Sequence, residues 1–122
     1  FLFYQKILNK KFNIQYVARK RKKDFDTEYD GKICPDWWTD IVSFGTCMNA
    51  PERVKYDTQK PKALATRIIK ASSNEGDIVA DFFLGSGTTA VVCKELNRRF
   101  IGCDINQKAV ELTNKRLNET LL

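Results

Sequence analysis

Histidine is absent from this sequence of 122 residues, and several classes of enzyme are excluded with it. Without an imidazole, the chain cannot supply a Ser-His-Asp or Cys-His nucleophile system, and it cannot hold zinc through histidine. Cysteine occurs four times but never as a Cys-x-x-Cys pair, which argues against a zinc knuckle or a thioredoxin-like motif. No stretch resembles a secretory segment, so we expect reduced thiols in a cytoplasmic protein and not a disulfide framework.

The sequence also lacks a long apolar run, and it has no acidic side chain among its first 23 residues. No stretch approaches the roughly 18 apolar residues of a membrane-spanning helix, so no membrane partner is expected. The first 23 residues carry eight of the 21 Lys and Arg side chains, and residues 24–122 carry the other 13 together with all 15 acids. This surplus of positive charge predicts an anionic partner for the first fifth of the chain.

Helices and strands are predicted in regular alternation after residue 60. The two strands are short and apolar, as buried strands of a parallel sheet are, and the final helix is expected to bury Ala109, Val110, Leu112 and Leu117. The predicted elements are a helix from Pro61 to residue 71, strand 77–83, helix 88–97, strand 100–103 and a last helix capped by Asn106. This order predicts an α/β protein with a mainly parallel sheet flanked by helices. Further upstream, strands are predicted at residues 1–6 and 13–17, and residues 24–57 are predicted to be irregular.

A glycine-rich turn joins the first of these strands to its helix, in the segment Asp81-Phe-Phe-Leu-Gly-Ser-Gly-Thr-Thr89. Glycine allows a sharp turn and a close approach to a ligand, and a helix N-terminus favours anionic groups. Asp104 ends the next strand, 19 residues after Gly85. An acid at about that offset binds the hydroxyls of an adenosine ribose in Rossmann-like sites. The segment therefore predicts a site for an adenosine-containing cofactor.

Two such cofactors fit the spacing of this turn. Gly85-Ser-Gly-Thr-Thr-Ala90 matches the GxGxxA fingerprint of NAD sites, whereas a P-loop is excluded because no lysine follows the second glycine. Asp81 favours S-adenosylmethionine instead, because its carboxylate suits a cationic amino acid moiety and would repel a pyrophosphate. On the residues alone, S-adenosylmethionine is preferred and NAD stays open.

Several short motifs then resemble one family closely. They are Thr58-Gln-Lys-Pro61, Asp81-Phe82, Gly85-Ser-Gly-Thr-Thr89, Asn97-Arg-Arg-Phe-Ile-Gly102 and Arg116-Leu117. Together they resemble the C-terminal part of the amino-directed DNA methyltransferases, the N6-adenine and N4-cytosine enzymes of bacterial restriction–modification systems. The order is the permuted one in which the cofactor motif comes last, and the match is dense over residues 56–117. Phe82 stands where the family usually has proline, and Tyr56-Asp57 where it often has His-Pro.

The resemblance implies a partial Rossmann-like, S-adenosylmethionine-dependent methyltransferase fold. It divides the chain into residues 1–56, with a DNA-facing target-recognition region, and residues 57–122, the cofactor-binding half. Asp104 would hold the ribose, Asp81 and the turn would surround the methionine end, and Lys60 would face its carboxylate. The implied cofactor-binding residues are Thr58, Gln59, Lys60, Asp81, Phe82, Gly85, Ser86, Gly87, Thr88 and Asp104. The implied DNA phosphate contacts are Arg19, Lys20, Arg21, Lys22 and Lys23.

The reaction implied by the resemblance is methyl transfer from S-adenosylmethionine to an exocyclic amino group of double-stranded DNA, with N6 of adenine favoured. The Asp-Pro-Pro-Tyr-type tetrapeptide that holds the target amine in this family does not occur in the sequence. We therefore assign no catalytic residue and no metal site, and we expect a C-terminal fragment or a separately encoded half. Such a chain would be inactive alone and would bind the cofactor weakly or not at all. The alternatives are a non-catalytic DNA-binding subunit that complements a second chain or a restriction subunit, and an NAD-dependent oxidoreductase.

Overall fold

The secondary structure comes from a computed structural model, which describes residues 13–18, 31–33, 38–47 and 49–119. The strand predicted at residues 1–6 and the basic residues 19–23 lie outside these ranges. The strands are Tyr16–Ala18 (β1), Gly31–Ile33 (β2), Ile78–Asp81 (β3) and Arg99–Gly102 (β4), and the helices are Lys62–Ser72 (α1), Thr88–Glu95 (α2) and Gln107–Glu119 (α3). None of these helices, within the described ranges, is long and apolar enough to cross a membrane.

Strands β3 and β4 form the parallel pair that the alternation of elements predicts. Ile78 lies opposite Arg99 and Asp81 lies opposite Gly102, so both strands end at the same edge. Helix α2 makes the crossover between them. A second sheet is formed by β1 and β2, which pair antiparallel. The predicted parallel sheet flanked by helices is therefore confirmed in the second half of the chain.

The core lies where α2 packs between the sheet and the other helices. Val92 and Cys93 of α2 are completely buried, and Ile69 of α1 joins them. Val79 of β3 and Phe100 of β4 pack against this cluster from the sheet. Burial raises the pKa of the Cys93 thiol to about 11, so this cysteine is a packing residue at neutral pH.

The opposite face of the sheet corrects one sequence expectation. Both strands were expected to be buried, but Ile78 and Ile101 are 53% and 55% exposed. Buried parallel strands need a layer on each face. Here α2 packs on the face of Val79 and Phe100, and no element among the described residues covers the other face.

Helix α3 begins as predicted but buries a different stripe. The Asn106 side chain accepts a hydrogen bond from the Lys108 N–H at 3.0 Å, which is the predicted N-cap. The buried residues of α3 are Ala109, Thr113 and Arg116, at helical spacing. The expected apolar residues Val110, Leu112 and Leu117 are only half-buried. Apolar periodicity could not predict this stripe, because two of its three members are polar.

Segments upstream of α1 are attached to that helix by polar contacts. The Arg67 guanidinium pairs with the Asp40 carboxylate and lies 5.1 Å from the centre of the Trp38 ring. The hydrogen bond from Arg67 lowers the pKa of Asp40. At the other end of α1, the Asn13 side chain donates to the carbonyl oxygens of Lys70 and Ser73. Residues upstream of position 56 therefore contact both ends of α1.

Candidate functional site

The glycine-rich loop, residues 82–87, leaves the carboxyl end of β3 and leads into α2. Gly85 and Gly87 have φ angles of 52° and 73°, in the left-handed region that favours glycine. A β-carbon on Gly87 would lie 2.3 Å from Oγ1 of Thr113 in α3. Two independent features therefore require glycine at position 87: the left-handed backbone conformation and the close approach of α3.

Asp104 follows β4 and binds the loop directly. Its carboxylate accepts the N–H of Asn106 and the N–H of Gly85, each at 2.8 Å. These two hydrogen bonds, with that of Asn106 the stronger influence, lower the pKa of Asp104. A carboxylate has about four acceptor positions, so an ionised Asp104 can still accept hydrogen bonds from a ligand. The acid and the glycine turn, separated by 19 residues in sequence, are in direct contact.

A cavity of about 630 Å³ opens beside this edge of the sheet. Its walls come from the segment before α1, from one side of α1 and from β3 with its loop. Six of the ten predicted cofactor residues line it: Thr58, Lys60, Asp81, Gly85, Ser86 and Thr88. Leu64, Ile68 and Ser72 of α1 also line it, and none of the three was predicted as a cofactor residue.

Asp81 closes β3 and shapes the entry to the loop. Its Oδ1 accepts the Phe83 N–H at 3.0 Å, which bends the chain just after the strand. Phe83 lines the cavity as a result, although its side chain is 91% exposed. Phe82, the predicted cofactor residue, is exposed and is not part of the lining.

Three more predicted cofactor residues, Gln59, Gly87 and Asp104, are not part of the lining, and the Gln59 side chain is turned toward residues 52–54 instead. It is buried, and its Nε2 donates to the Glu52 carbonyl oxygen while its Oε1 accepts the Val54 N–H, both at 2.7 Å. Its amide therefore braces the chain at residues 52–54. The Lys60 side chain is exposed, and its ammonium donates to the Thr58 carbonyl oxygen at 3.2 Å.

Helix α3 supplies two residues that sequence reasoning did not assign to the site. The Arg116 guanidinium, which is buried, donates to the carbonyl oxygen of Ser86, and Thr113 lies directly beneath Gly87. The available signal for Arg116 was the Arg116-Leu117 motif of the family resemblance, whereas nothing in the sequence pointed to Thr113.

Negatively charged side chains and the positively polarised end of a helix lie together at this edge of the sheet. Carboxylates end both β3 and β4, and the N-terminus of α2 lies between them with its positive dipole end. Such a set suits a zwitterionic ligand that also carries hydroxyl groups. Residues 19–23, the predicted DNA contacts, lie outside the described part of the chain, so that prediction stays as it was.

Comparisons with known proteins agree with this arrangement. A family model described as DNA methylase matches residues 2–115. The type II methyltransferase M2.LlaDCHI of Lactococcus lactis subsp. cremoris is 40% identical over 113 residues, which cover 91% of this chain and 39% of that protein. The type II methyltransferase M.HpaI of Haemophilus parainfluenzae is 58% identical over 66 residues, covering 54% of this chain and 21% of that protein.

A solved structure gives the same result for the fold. The crystal structure of the M1.HpyAVI–SAM complex matches with a TM-score of 0.52 and 45% sequence identity, covering 55% of this chain and 34% of that one. The chain thus spans between about a fifth and two fifths of the length of the proteins it matches.

Proposed function

The chain belongs to the N6/N4 family of DNA methylases, and we propose that its loop edge binds S-adenosylmethionine for methyl transfer to an exocyclic amino group of DNA. The observation that carries this proposal is the contact between Asp104 and the Gly85 N–H. The contact supports the proposal because a carboxylate that could accept hydrogen bonds from ribose hydroxyls lies against the glycine turn, at the carboxyl edge where open α/β sheets bind ligands. The match to a protein solved as a SAM complex supports the same ligand.

The donors and acceptors at this edge fit the parts of the cofactor. Asp104 would accept hydrogen bonds from the ribose hydroxyls through the acceptor positions that Gly85 and Asn106 leave open. Asp81 would attract the α-ammonium group, and the N-terminus of α2 would attract the carboxylate. Lys60 would complete the carboxylate contact by turning from its present bond to Thr58. A pyrophosphate would face the Asp81 carboxylate, which disfavours NAD.

The chain's contribution to the reaction is orientation. S-adenosylmethionine supplies an electrophilic methyl group when it is bound. Holding the ribose and the methionine end at two carboxylates fixes the direction in which that methyl group points, and alignment of the reacting atoms lowers the barrier. The target amine would come from a base flipped out of the duplex, with N6 of adenine the favoured target.

The residues that hold the target amine would come from another part of a longer chain or from a second chain. The sequence contains no Asp-Pro-Pro-Tyr tetrapeptide, and the sheet has an uncovered face among the described residues. We expect weak cofactor binding and no methylation by these 122 residues alone. We expect activity on double-stranded DNA when a complementing chain that carries the tetrapeptide is added.

Two aspartates provide a matched test of the cofactor site. Asp104 binds the loop, whereas Asp77 accepts the Asn74 N–H at 2.9 Å at the opposite end of β3. Asp104→Asn should weaken binding of S-adenosylmethionine by about tenfold or more, because charge-assisted hydrogen bonds are lost. Asp77→Asn should keep the dissociation constant of S-adenosylmethionine within about twofold of the wild-type value. Saturation-transfer NMR can measure the dissociation constants of both variants. Equal effects of the two substitutions, or preferential binding of NAD, would contradict the proposal.

The DNA contact is tested through its salt dependence. Replacing Arg19, Lys20, Arg21, Lys22 and Lys23 by serine should lower the slope of log binding constant against log salt by up to about 4.5, since each phosphate contact contributes about 0.9. Lys55, Lys70, Arg99, Lys108 and Lys115 are five exposed basic residues outside this segment, and substituting all five by serine is the charge-matched control. An equal loss of slope in the control would show that net charge and not this segment meets the DNA.

A further inference from the structure

Helix α3 turns a polar stripe, not an apolar one, toward the glycine-rich loop. Ala109, Thr113 and Arg116 are 0%, 3% and 7% exposed, and they follow each other at four and three residues along one face. Arginine is almost never so deeply buried unless its guanidinium is paired. Burial lowers the pKa of Arg116, while Glu52, Glu95 and Glu119 act in the opposite direction and favour its charged form.

The acceptors of Arg116 lie at the start of α2 and in the loop. Its Nη1 donates to the carbonyl oxygen of Ser86, and the Thr88 hydroxyl lies 3.4 Å from the same nitrogen. The Thr88 hydroxyl in turn donates to the carbonyl oxygen of Lys60 at 3.2 Å. One relay of hydrogen bonds therefore connects α3 to the loop and to the segment before α1. The loop and that segment form different walls of the cavity.

Ser86 belongs to the same network. Its hydroxyl oxygen lies 3.1 Å from that of Thr88, and either hydroxyl can donate in this pair. Both residues line the cavity, so the network that begins at Arg116 reaches the cavity surface through Ser86 and Thr88.

We propose that Arg116 is a positioning residue that holds the glycine-rich loop against the segment before α1 and so keeps the cavity in its ligand-binding shape. The identity of the ligand rests on the proposed function, but the mechanical role does not. Arg116 does not line the cavity. It acts through Ser86 and Thr88.

Arg98 provides a control with the same chemistry at the other end of the strands. Its guanidinium donates to the carbonyl oxygens of Leu96 at 2.6 Å and Ser73 at 2.9 Å. Both arginines are thus partly or fully buried and use backbone carbonyl acceptors. Only Arg116 is connected to the loop, so substituting each by methionine separates loop positioning from general stability.

Amide hydrogen exchange measured by NMR tests the positioning role without any ligand. In Arg116→Met, exchange at Gly85 and Gly87 should accelerate by about ten- to hundredfold, because hydrogen bonds from a charged donor are lost. Exchange at Val92 and Cys93 should keep its protection. In Arg98→Met, exchange should instead accelerate at the Gly76 N–H, which donates to the Asn97 carbonyl oxygen. Unchanged exchange at Gly85 and Gly87, or an equal acceleration at Val92, would overturn the proposal.

A second variant keeps the test decisive if Arg116→Met fails to fold. Thr88→Val removes the middle of the relay without changing the charge of the protein. It should accelerate amide exchange at Gly87 in the same way as Arg116→Met. The effects of Thr88→Val and Arg116→Lys should be non-additive, since both act on one connected network. Strict additivity would contradict the relay.

Binding of S-adenosylmethionine supplies the functional readout. Arg116→Met should weaken binding by about tenfold or more, while Arg98→Met should stay within about twofold of the wild type. Arg116→Lys keeps the charge but loses the planar fork, so it should not restore binding; full restoration would indicate a purely electrostatic role. If the wild-type chain shows no binding even with the complementing chain present, the proposed function fails, and the exchange experiment still decides the role of Arg116.

Discussion

The two ends of the β3–β4 pair are built from the same parts, yet the cavity described above lies at the carboxyl end. Each end has a glycine with positive φ, an aspartate that accepts a backbone N–H and an arginine that donates to carbonyl oxygens. At the amino end these groups only close the turns. At the carboxyl end they hold the loop that lines a cavity of about 630 Å³. Local motifs alone therefore do not identify a site.

The difference follows from the direction of the helices. In a parallel β–α–β unit each helix begins near the carboxyl end of the preceding strand, so its free N–H groups and positive dipole end point there. At the amino end, the last carbonyl groups of α1 are instead bound by Asn13 and Arg98. The carboxyl end keeps the unused hydrogen-bonding capacity that a ligand requires.

Thiol reactivity should show the largest contrast. Cys103 is exposed just after β4, whereas Cys93 is buried and its pKa is raised to about 11. Near pH 8 only about one thousandth of Cys93 would be thiolate, the reactive form. Alkylation followed by peptide mass mapping should modify Cys103 while leaving Cys93 unmodified until the protein unfolds. Comparable rates for the two thiols in the folded protein would show that the packing around α2 is looser than described.

Alanine substitutions at two glycines sharpen the comparison of the ends. Gly76 and Gly87 have nearly equal φ angles, 78° and 73°, but a β-carbon would meet nothing within 4 Å at Gly76 and would meet Thr113 at 2.3 Å at Gly87. Gly87→Ala should lower the free energy of unfolding by about 2–4 kcal/mol, from backbone strain and overpacking together. Gly76→Ala should cost only about 1 kcal/mol. Urea denaturation measures both, and equal costs would mean that α3 does not press on the loop.

Acid titration should give the smallest effect. The pKa of Asp104 is lowered in the folded chain, so its contribution to stability is fully present above the ordinary carboxyl value of about 3.9. That contribution is lost as the pH falls through the lower, folded-state pKa. The Gly85 amide resonance should therefore titrate with a midpoint below about 3.9. The Gly87 amide donates to the Leu84 carbonyl oxygen and serves as the control. A Gly85 midpoint at or above the ordinary value would contradict the contact.

Sequence reasoning could predict the parts of this site that follow from regular spacing along the chain. The alternation of elements, the glycine turn, the Asn106 cap and the proximity of Asp104 to Gly85 all follow from spacing along the chain. The exposed face of β3 and β4 could not be predicted, because apolar strands do not reveal which layers cover them. The proposed roles of the predicted cofactor residues remain predictions.

The rest of the site depends on contacts between distant segments. Gln59 braces residues 52–54, and that use of its amide is invisible without the fold. Phe83 replaces Phe82 in the cavity wall because the Asp81 side chain bends the chain after β3. Arg116 lies 30 residues from Ser86, and a buried arginine breaks the apolar periodicity from which helix faces are predicted.

The central claim, that S-adenosylmethionine binds at the carboxyl end of β3 and β4, is tested most directly by an NMR titration of the isotopically labelled chain. With ligand at up to about 5 mM, which detects millimolar dissociation constants, the amide resonances of Gly85, Gly87 and Thr88 should shift in a saturable way. Those of Gly76 and Asp77 at the amino end should not move, and NAD should cause no shift at either end. Shifts caused by NAD but not by S-adenosylmethionine, or no saturable shift at the carboxyl end, would contradict the account.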